Sequence, residues 1–118
     1  MAHAIDLKEK LNTFEGHWQP RTIGQYNGND VMVAKVQGEY AWHSHADTDD
    51  FFLVIHGTLF IDLHGGETVE LHEGQMFVVP RGVEHRPRAT EEAHILLIEP
   101  TGTPNSGDVR TAAPRRVI

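Results

Sequence analysis

The sequence predicts an all-β domain built as a sandwich or a barrel, and two features indicate this fold. Between residues 31 and 98, short apolar runs alternate with turns of Gly, Pro, Asp or Asn about every 8–12 residues, the pattern of antiparallel all-β folds. The chain has 118 residues, of which 39% are hydrophobic, and this is sufficient for one globular core. We therefore expect a single domain covering residues 1–118.

The order of the elements follows from local patterns. Leu7, Leu11 and Phe14 recur at helical spacing after Asp6, so a short N-terminal helix is predicted over about residues 6–14. The pair Asn27-Gly28 predicts a tight hairpin turn. The barrel core is predicted over about 30–99, with strands at 31–36, 39–45, 51–55, 58–63, 68–71, 76–79 and 94–98.

The segment after the barrel, about residues 100–118, differs in composition from the rest of the chain. It holds three prolines and shows little periodicity. These features predict an extended C-terminal arm or a frayed tail.

Composition excludes several classes of function. The net charge is −7, so a surface for nucleic acid or for an anionic membrane is not expected. The chain has no cysteine, which rules out disulfides, zinc–thiolate sites and thiol catalysis and fits a reducing compartment. The N-terminal segment has no apolar core of a secretory signal, and no run is long enough to span a membrane. A cytoplasmic location is therefore expected.

Two histidines, His43 and His45, stand one residue apart in the predicted strand 39–45. Residues i and i+2 of a strand share a face, so the two imidazoles are placed to share a metal ion, although an H-x-H pair alone is a weak signal. Asp49 and Asp50 follow. Adjacent strand residues face opposite ways, so one of them is expected to point inward, unless this stretch is a solvated acidic turn.

The two histidines and a third one, His85, stand in motifs that resemble those of the cupin family. The first cupin motif reads G-x5-H-x-H-x3,4-E-x6-G, and the second reads G-x5-P-x-G-x2-H-x3-N. The chain matches the first with Gly38, His43, His45, Asp50 and Gly57, and the second with Gly74, Pro80, Gly82 and His85. The resemblance covers residues 38–86 closely and is to small bacterial single-domain cupins of the type-2 kind.

The resemblance implies a double-stranded β-helix, or jelly-roll, barrel that holds a metal through His43, His45, Asp50 and His85. Three imidazoles and one carboxylate suit a divalent transition metal such as Fe, Mn, Ni or Zn. The chain departs from the family pattern in three places: the first glycine is one residue closer to the histidines, aspartate replaces glutamate, and Ala89 replaces the terminal asparagine. Because aspartate is shorter, binding through water and a role for Asp49 both stay open.

Strand parity predicts which residues near Asp50 face the pocket and which lie on the opposite face. Phe52 and Val54 share the parity of Asp50, so they are candidates for the wall of a small-molecule pocket, and core packing explains them equally well. His94 opens the last predicted strand and is a further candidate. Phe51, Leu53 and Ile55 form an apolar opposite face, which packs on a second sheet, on the helix or on another subunit, and the resemblance implies a homodimer.

Three functions are compatible with this sequence, because a fold does not determine its chemistry. The first is a metal-dependent enzyme acting on a small molecule, with dioxygenase-like chemistry slightly favoured. The second is an isomerase or epimerase of sugars or sugar phosphates, and the third is a non-catalytic module that binds a small ligand. Whether the protein is an enzyme at all is left open by the residues.

Overall fold

The computed structural model describes residues 2–108 and 110–118. A short helix, α1, spans Leu7–Leu11. The strands are β1 (Arg21–Tyr26), β2 (Asn29–Glu39), β3 (Asp50–His56), β4 (Leu59–Leu63), β5 (Thr68–Leu71), β6 (Met76–Val79), β7 (His85–Pro100) and β8 (Arg116–Val117). Within the described ranges, no helix has both the length and the apolar character needed to cross a membrane.

Strand β7 organises the barrel, because its 16 residues pair with three other strands. It is antiparallel to β2 along most of its length, while its first residues pair with β4 and its last ones with β3. The strands follow the order β5-β4-β7-β2-β1-β8, and β3 pairs with both β6 and β7. The predicted all-β jelly-roll fold is thereby confirmed.

Side chains alternate between the inside and the outside along the strands, as the pleat requires. On β3, Asp50, Phe52 and Val54 point inward and are at most 3% exposed, whereas the residues between them are half-buried. The inward-facing apolar side chains form the main core: Met32, Ala34, Val36, Phe52, Val54, Leu59, Ile61, Leu71, Val79, Ala89, Ala93, Ile95 and Leu97.

The N-terminal helix is shorter than predicted but lies where the pattern indicates. The Asp6 side chain accepts a hydrogen bond from the Glu9 N–H at 3.0 Å and so forms the N-cap. Leu11 packs with Ile23 and Val33 in a second cluster on the outside of the barrel wall. The helix therefore covers part of the outer face of the sheet.

The predicted strand 39–45 is wrong. Strand β2 continues from Asn29 to Glu39 because β7 pairs with it that far, through Gly38 to Ala89 and Glu39 to Arg88. Residues 40–49 then leave the ladder, and His43 makes an isolated bridge to His85. The histidine pair thus stands on a loop that main-chain hydrogen bonds from Tyr40 and His43 hold on the first residues of β7.

The C-terminal arm is ordered against the barrel rather than frayed. Strand β8 pairs in parallel with β1, and the Ile118 N–H donates to Thr22 O at 3.0 Å. The side chain of Ile118 packs on the cluster around Leu11. Sequence composition did not indicate this return, because the contacts join residues distant in the chain.

Candidate metal centre

The backbone brings the histidines of the two motifs together. The N–H groups of His43 and His85 each donate to the other's carbonyl oxygen, at 3.0 and 2.9 Å. The carbonyl of His45 accepts from the Gly82 N–H at 2.8 Å, in the turn before β7. The loop that carries the first motif is therefore fixed on the start of the strand that carries the second.

The four side chains matched to cupin ligands converge on one point inside the barrel. Oδ2 of Asp50 lies 2.9 Å from Nε2 of His85, 3.3 Å from that of His45 and 3.9 Å from that of His43. One ligand atom from each residue lies within 4.8 Å of all the others. The four residues are between 1% and 8% exposed, so bulk water does not screen them.

Backbone carbonyls orient two of the imidazole rings. Nδ1 of His43 lies 2.9 Å from the carbonyl oxygen of Ala41, and Nδ1 of His85 lies 2.9 Å from that of Val83. In the neutral ring with Nδ1 donating, Nε2 presents its lone pair to the centre. Metal-binding histidines are commonly oriented in this way.

The centre contains polar atoms that the protein does not satisfy. Among the described residues, Nε2 of His45 and Oδ1 of Asp50 are buried without a hydrogen-bond partner. The His45 nitrogen is near the carboxylate but lacks the geometry of a hydrogen bond. Buried lone pairs from three imidazoles and a carboxylate face one another, and such an arrangement requires a proton or a cation between them. The residues therefore fit a bound transition metal.

The electrostatics of the centre favour the metal-binding form at two of its donors, His43 and Asp50. Burial lowers the pKa of His43 to about 4, so this imidazole is neutral at pH 7. Burial opposes ionisation of Asp50, but its close approach to the His45 ring and its hydrogen bond with His85 outweigh burial, and the net pKa is lowered. For His45 burial is likewise outweighed, here by the Asp50 carboxylate, and the pKa is raised. A carboxylate and neutral imidazoles are the metal-binding forms.

A small cavity of about 40 Å³ adjoins the metal centre. His43 and Asp50 lie on its wall with Phe52, Tyr40 and Glu99, and most of the remaining wall is apolar. The C-terminal arm closes it with Asn105. An apolar wall with a few polar groups beside a metal-binding cluster is typical of a small-molecule site.

Sequence reasoning missed Glu99 as a polar residue of this cavity. Burial, then the Asp50 carboxylate, raise the pKa of Glu99 to about 8, against the opposing effect of Arg115, whose Nη2 lies 2.7 Å from Oε2. Burial also raises the pKa of the Tyr40 phenol. Glu99 lies at an inward-facing position of β7. The alternation along the strand indicates this position once the full strand from His85 is recognised.

The other candidate residues lie in different places. Val54 packs in the core and is not part of the described cavity wall, whereas Phe52 is. His94 was expected near the pocket, but it lies on the outer face of β7, where its ring contacts Glu92 and His56. The reason is parity, because inward positions near it are Ala93 and Ile95.

The structure also places both aspartates of the acidic stretch. Oδ1 of Asp49 accepts the N–H of Arg81 at 2.9 Å, in the turn before β7. Asp50 begins β3 and points to the histidines. Asp49 thus stabilises the turn before β7 and lies outside the metal centre.

Comparisons with known proteins agree with this architecture. The YdbB protein of Bacillus subtilis (strain 168) is 34% identical over 99 residues, which are 84% of this chain and 81% of YdbB. A cupin-2 domain protein of Shewanella frigidimarina is 45% identical, with a TM-score of 0.79 over 81% of this chain and 93% of that one. Hydroquinone 1,2-dioxygenase PnpCD, solved with Cd²⁺ and 4-hydroxybenzonitrile, is 20% identical with a TM-score of 0.68, over 79% and 70% of the two chains, and shows the fold alone.

The two histidine motifs and the barrel that joins them indicate the family to which this chain belongs. Residues 30–99 match the family described as the cupin domain, and this segment contains all four converging side chains. The match covers more than half of the chain and the predicted barrel core. The chain belongs to the cupin family.

Proposed function

We propose that this protein is a metal-dependent enzyme that acts on a small molecule, with the metal held by His43, His45, Asp50 and His85. The observation that carries the proposal is the convergence of three imidazole nitrogens and one carboxylate oxygen within 4.8 Å, buried and incompletely hydrogen-bonded. A divalent Fe, Mn, Ni or Zn ion bound there would supply Lewis-acid or redox chemistry.

The chain's own residues would bind and orient the substrate. Phe52 and Tyr40 offer aromatic surface beside the centre, and the mostly apolar wall excludes water. Glu99, whose pKa is raised to about 8, holds a proton on a carboxyl group that faces the cavity. It is placed to exchange that proton with a bound hydroxyl group. Dioxygenase-like chemistry on an aromatic or enolic diol is slightly favoured, because a three-histidine, one-carboxylate site leaves coordination positions for substrate.

The test begins with the metal content of untagged protein purified without chelator. Protein loaded separately with Fe²⁺, Mn²⁺, Ni²⁺ or Zn²⁺ is then assayed for O2 uptake and product formation over a panel of aromatic and enolic diols. We expect turnover with one metal that is lost in Glu99→Gln with metal content retained. Metal binding without turnover of any substrate class would leave the non-catalytic binding module as the function.

A sugar-phosphate isomerase is less well supported. Phosphate recognition uses Arg, Lys or exposed backbone N–H groups, and the described wall of the cavity contains neither lysine nor arginine. The Lys35 amine donates to Phe14 O at 2.7 Å on the other side of the sheet, so it offers no base to the cavity. The assay for this function is the interconversion of mannose 6-phosphate and fructose 6-phosphate. Turnover would rank the isomerase above the dioxygenase-like function.

The outer face of the sheet supports a homodimer, which the resemblance also implies. Phe51 pairs with Val78 on one side and Ile98 on the other, so three apolar side chains form a row across β6, β3 and β7. Leu53 lies between Met76 and Leu96 in the next row. Met76 is 51% exposed and Val78 37% exposed, and apolar patches of this kind mark association surfaces.

Light scattering after size exclusion tests the dimer. We expect a dimer mass for the wild type and a monomer for Met76→Lys/Val78→Lys. Tyr26→Lys places the same charge on an exposed aromatic residue of a different part of the surface, the β1–β2 hairpin, and should leave the dimer intact. A wild type that is monomeric at tens of micromolar would rule the dimer out.

A further inference from the structure

The metal cavity is too small for the substrate that the proposed function requires. Its volume is about 40 Å³, whereas sites for small organic ligands have about 300–1,000 Å³ and one water needs about 10–15 Å³. As described, the cavity holds a few waters. One wall must therefore move before a ligand enters.

The C-terminal arm, residues 101–108 and 110–118, contributes a part of the cavity wall that lies outside the barrel core. Asn105 faces the cavity, and its side chain is held within the arm, where Oδ1 accepts the Ala113 N–H at 2.9 Å. The other cavity residues stand on the barrel strands, on the loop between β2 and β3, or on the segment before β1. Movement of residues 101–108, which lie in no strand, would open the cavity without breaking the β-ladder of the barrel.

The arm lies directly on the loop that carries the histidines. A Cβ built on Gly107 would fall 2.2 Å from the carbonyl oxygen of Ser44, the residue between His43 and His45. Gly107 also has a φ of +77°, a conformation that suits glycine. Any larger residue at 107 would hold the arm away from the loop.

Hydrogen bonds of the Arg115 guanidinium fasten the arm to two buried carboxyl groups of the barrel. Nη1 of Arg115 donates to Oδ2 of Asp30 at 2.9 Å, and Nη2 donates to Oε2 of Glu99 at 2.7 Å. The Arg115 side chain is only 14% exposed. Beyond it, β8 adds two residues to the sheet. The hydrogen bonds of Arg115, here called the Arg115 anchor, are strong, but they hold only one position of the arm.

Poorly filled space lies on both sides of the arm. A groove of about 820 Å³ separates it from β1, and Arg115 and Asp30 lie on the lining of that groove. A second cleft, of about 360 Å³, lies between the arm and residues 45–48. Both grooves are open to solvent at the surface, so the arm rests on the barrel rather than forming part of its core.

We propose that the C-terminal arm is a movable cover of the metal cavity, released at the Arg115 anchor, and that Asn105 is the residue with which it covers the cavity. The proposal rests on the proposed function in taking the four side chains as a metal site. In the open state, ligand and metal reach the centre past residues 45–48. In the closed state, the arm excludes water from it.

Metal exchange kinetics test the cover. Zn²⁺-loaded protein is mixed with excess EDTA, and Zn²⁺ uptake and affinity are measured separately. We expect Arg115→Ala to release and take up Zn²⁺ roughly ten- to a hundredfold faster, the change that follows from losing charge-assisted hydrogen bonds, with little change in affinity. Loosening a cover speeds both the release and the uptake of Zn²⁺. Damage to the ligand set speeds release alone and weakens the affinity for Zn²⁺. The control Arg110→Ala removes an exposed arginine that pairs within the arm, with Asp108, and should behave as wild type.

Gly107→Ala gives a second, independent test of the cover, because this substitution changes no contact of Glu99 or Asp30. The added Cβ should lift the arm and speed exchange in both directions. Gly65→Ala adds a Cβ at another left-handed glycine, one with free space around it among the described residues, and should leave exchange unchanged. Unchanged exchange in both Arg115→Ala and Gly107→Ala, or faster release with a matching loss of affinity, would overturn the proposal.

Hydrogen–deuterium exchange separates this proposal from the proposed function. Should the wild type bind no metal, the proposed function fails, but the cover is still tested by the amides of Ala113 and Ile118, which are bonded within the arm and to β1. We expect both to exchange faster than the β2 amides paired with β7, and faster again in Arg115→Ala. Equal protection of arm and barrel would refute a movable cover.

Discussion

The backbones of His43 and His85 are joined by a reciprocal pair of hydrogen bonds, and their rings lie 4.4 Å apart between centroids. This bridge connects the loop of the first motif to the first residue of β7. Each histidine is thus positioned by the other's main chain as well as by its own ring contact to a carbonyl. Substituting either side chain should leave this main-chain connection in place.

The first prediction concerns metal content. Wild-type protein should hold about one divalent metal ion per chain, and His43→Ala/His85→Ala should lose it, because two of four ligands are removed. Elemental analysis of untagged protein measures this. His64→Ala, which removes an exposed histidine from a turn, is the control and should retain the metal. Equal metal content in the double variant and in the control would show that the metal lies elsewhere.

The second prediction distinguishes the two aspartates. Asp50→Asn should weaken metal affinity by at least about a hundredfold, since even residues that only support a ligand contribute 10–100-fold. Asp49→Asn should bind as wild type, because an amide oxygen still accepts the Arg81 N–H. Competition with a chelator of known affinity measures both. A larger loss for Asp49→Asn would assign the carboxylate ligand to the other residue.

The third prediction concerns acid stability. Asp62 is 8% exposed and accepts hydrogen bonds from Arg86, Arg88 and Thr68. Its hydrogen bonds to Arg88 above all hold the pKa of its carboxyl well below the usual range. A lowered folded-state pKa stabilises the protein above the unfolded-state value of about 3.9, and this contribution is lost as the pH falls through the folded-state pKa.

Urea unfolding of wild type and Asp62→Asn at several pH values measures this effect. The variant should be less stable by about 1–2 kcal/mol at pH 7 and equally so at pH 5, because the carboxyl is ionised in both states there. At pH 3 the difference should shrink. A difference that is the same at pH 3 and pH 7 would mean that the charge of Asp62 contributes nothing.

The fourth prediction concerns the turn between β3 and β4. Gly57 has a φ of +83°, and a Cβ there would lie 3.2 Å from Cα and Cβ of Ala93 on β7. Gly65→Ala, at another left-handed glycine with free space among the described residues, should cost about 1–2 kcal/mol of unfolding free energy. Gly57→Ala should cost more, because β7 must also move. Thermal or urea unfolding compares them, and an equal loss would show that only φ matters at Gly57.

The parts of the fold that were predictable have local signals. The strands Thr68–Leu71 and Met76–Val79 were predicted to the residue, since the first alternates polar and apolar residues, the second is a short apolar run, and turn residues flank both. The strand at 39–45 was wrong, because pairing with a distant strand decides where β2 ends. The last strand was predicted to begin at 94, yet β7 begins at His85, since three neighbouring strands extend its pairing.

Local patterns in the sequence indicated the all-β class and the two histidine motifs, and the resemblance of these motifs to cupins implied which four side chains could act together. What surrounds those side chains follows from tertiary contacts. The tertiary structure placed Glu99 and Asn105 at the cavity, turned His94 outward and laid the C-terminal arm over the centre through Arg115. Those positions depend on contacts between residues far apart in the chain, and no local pattern encodes the partners of a buried charge or the path of an irregular segment.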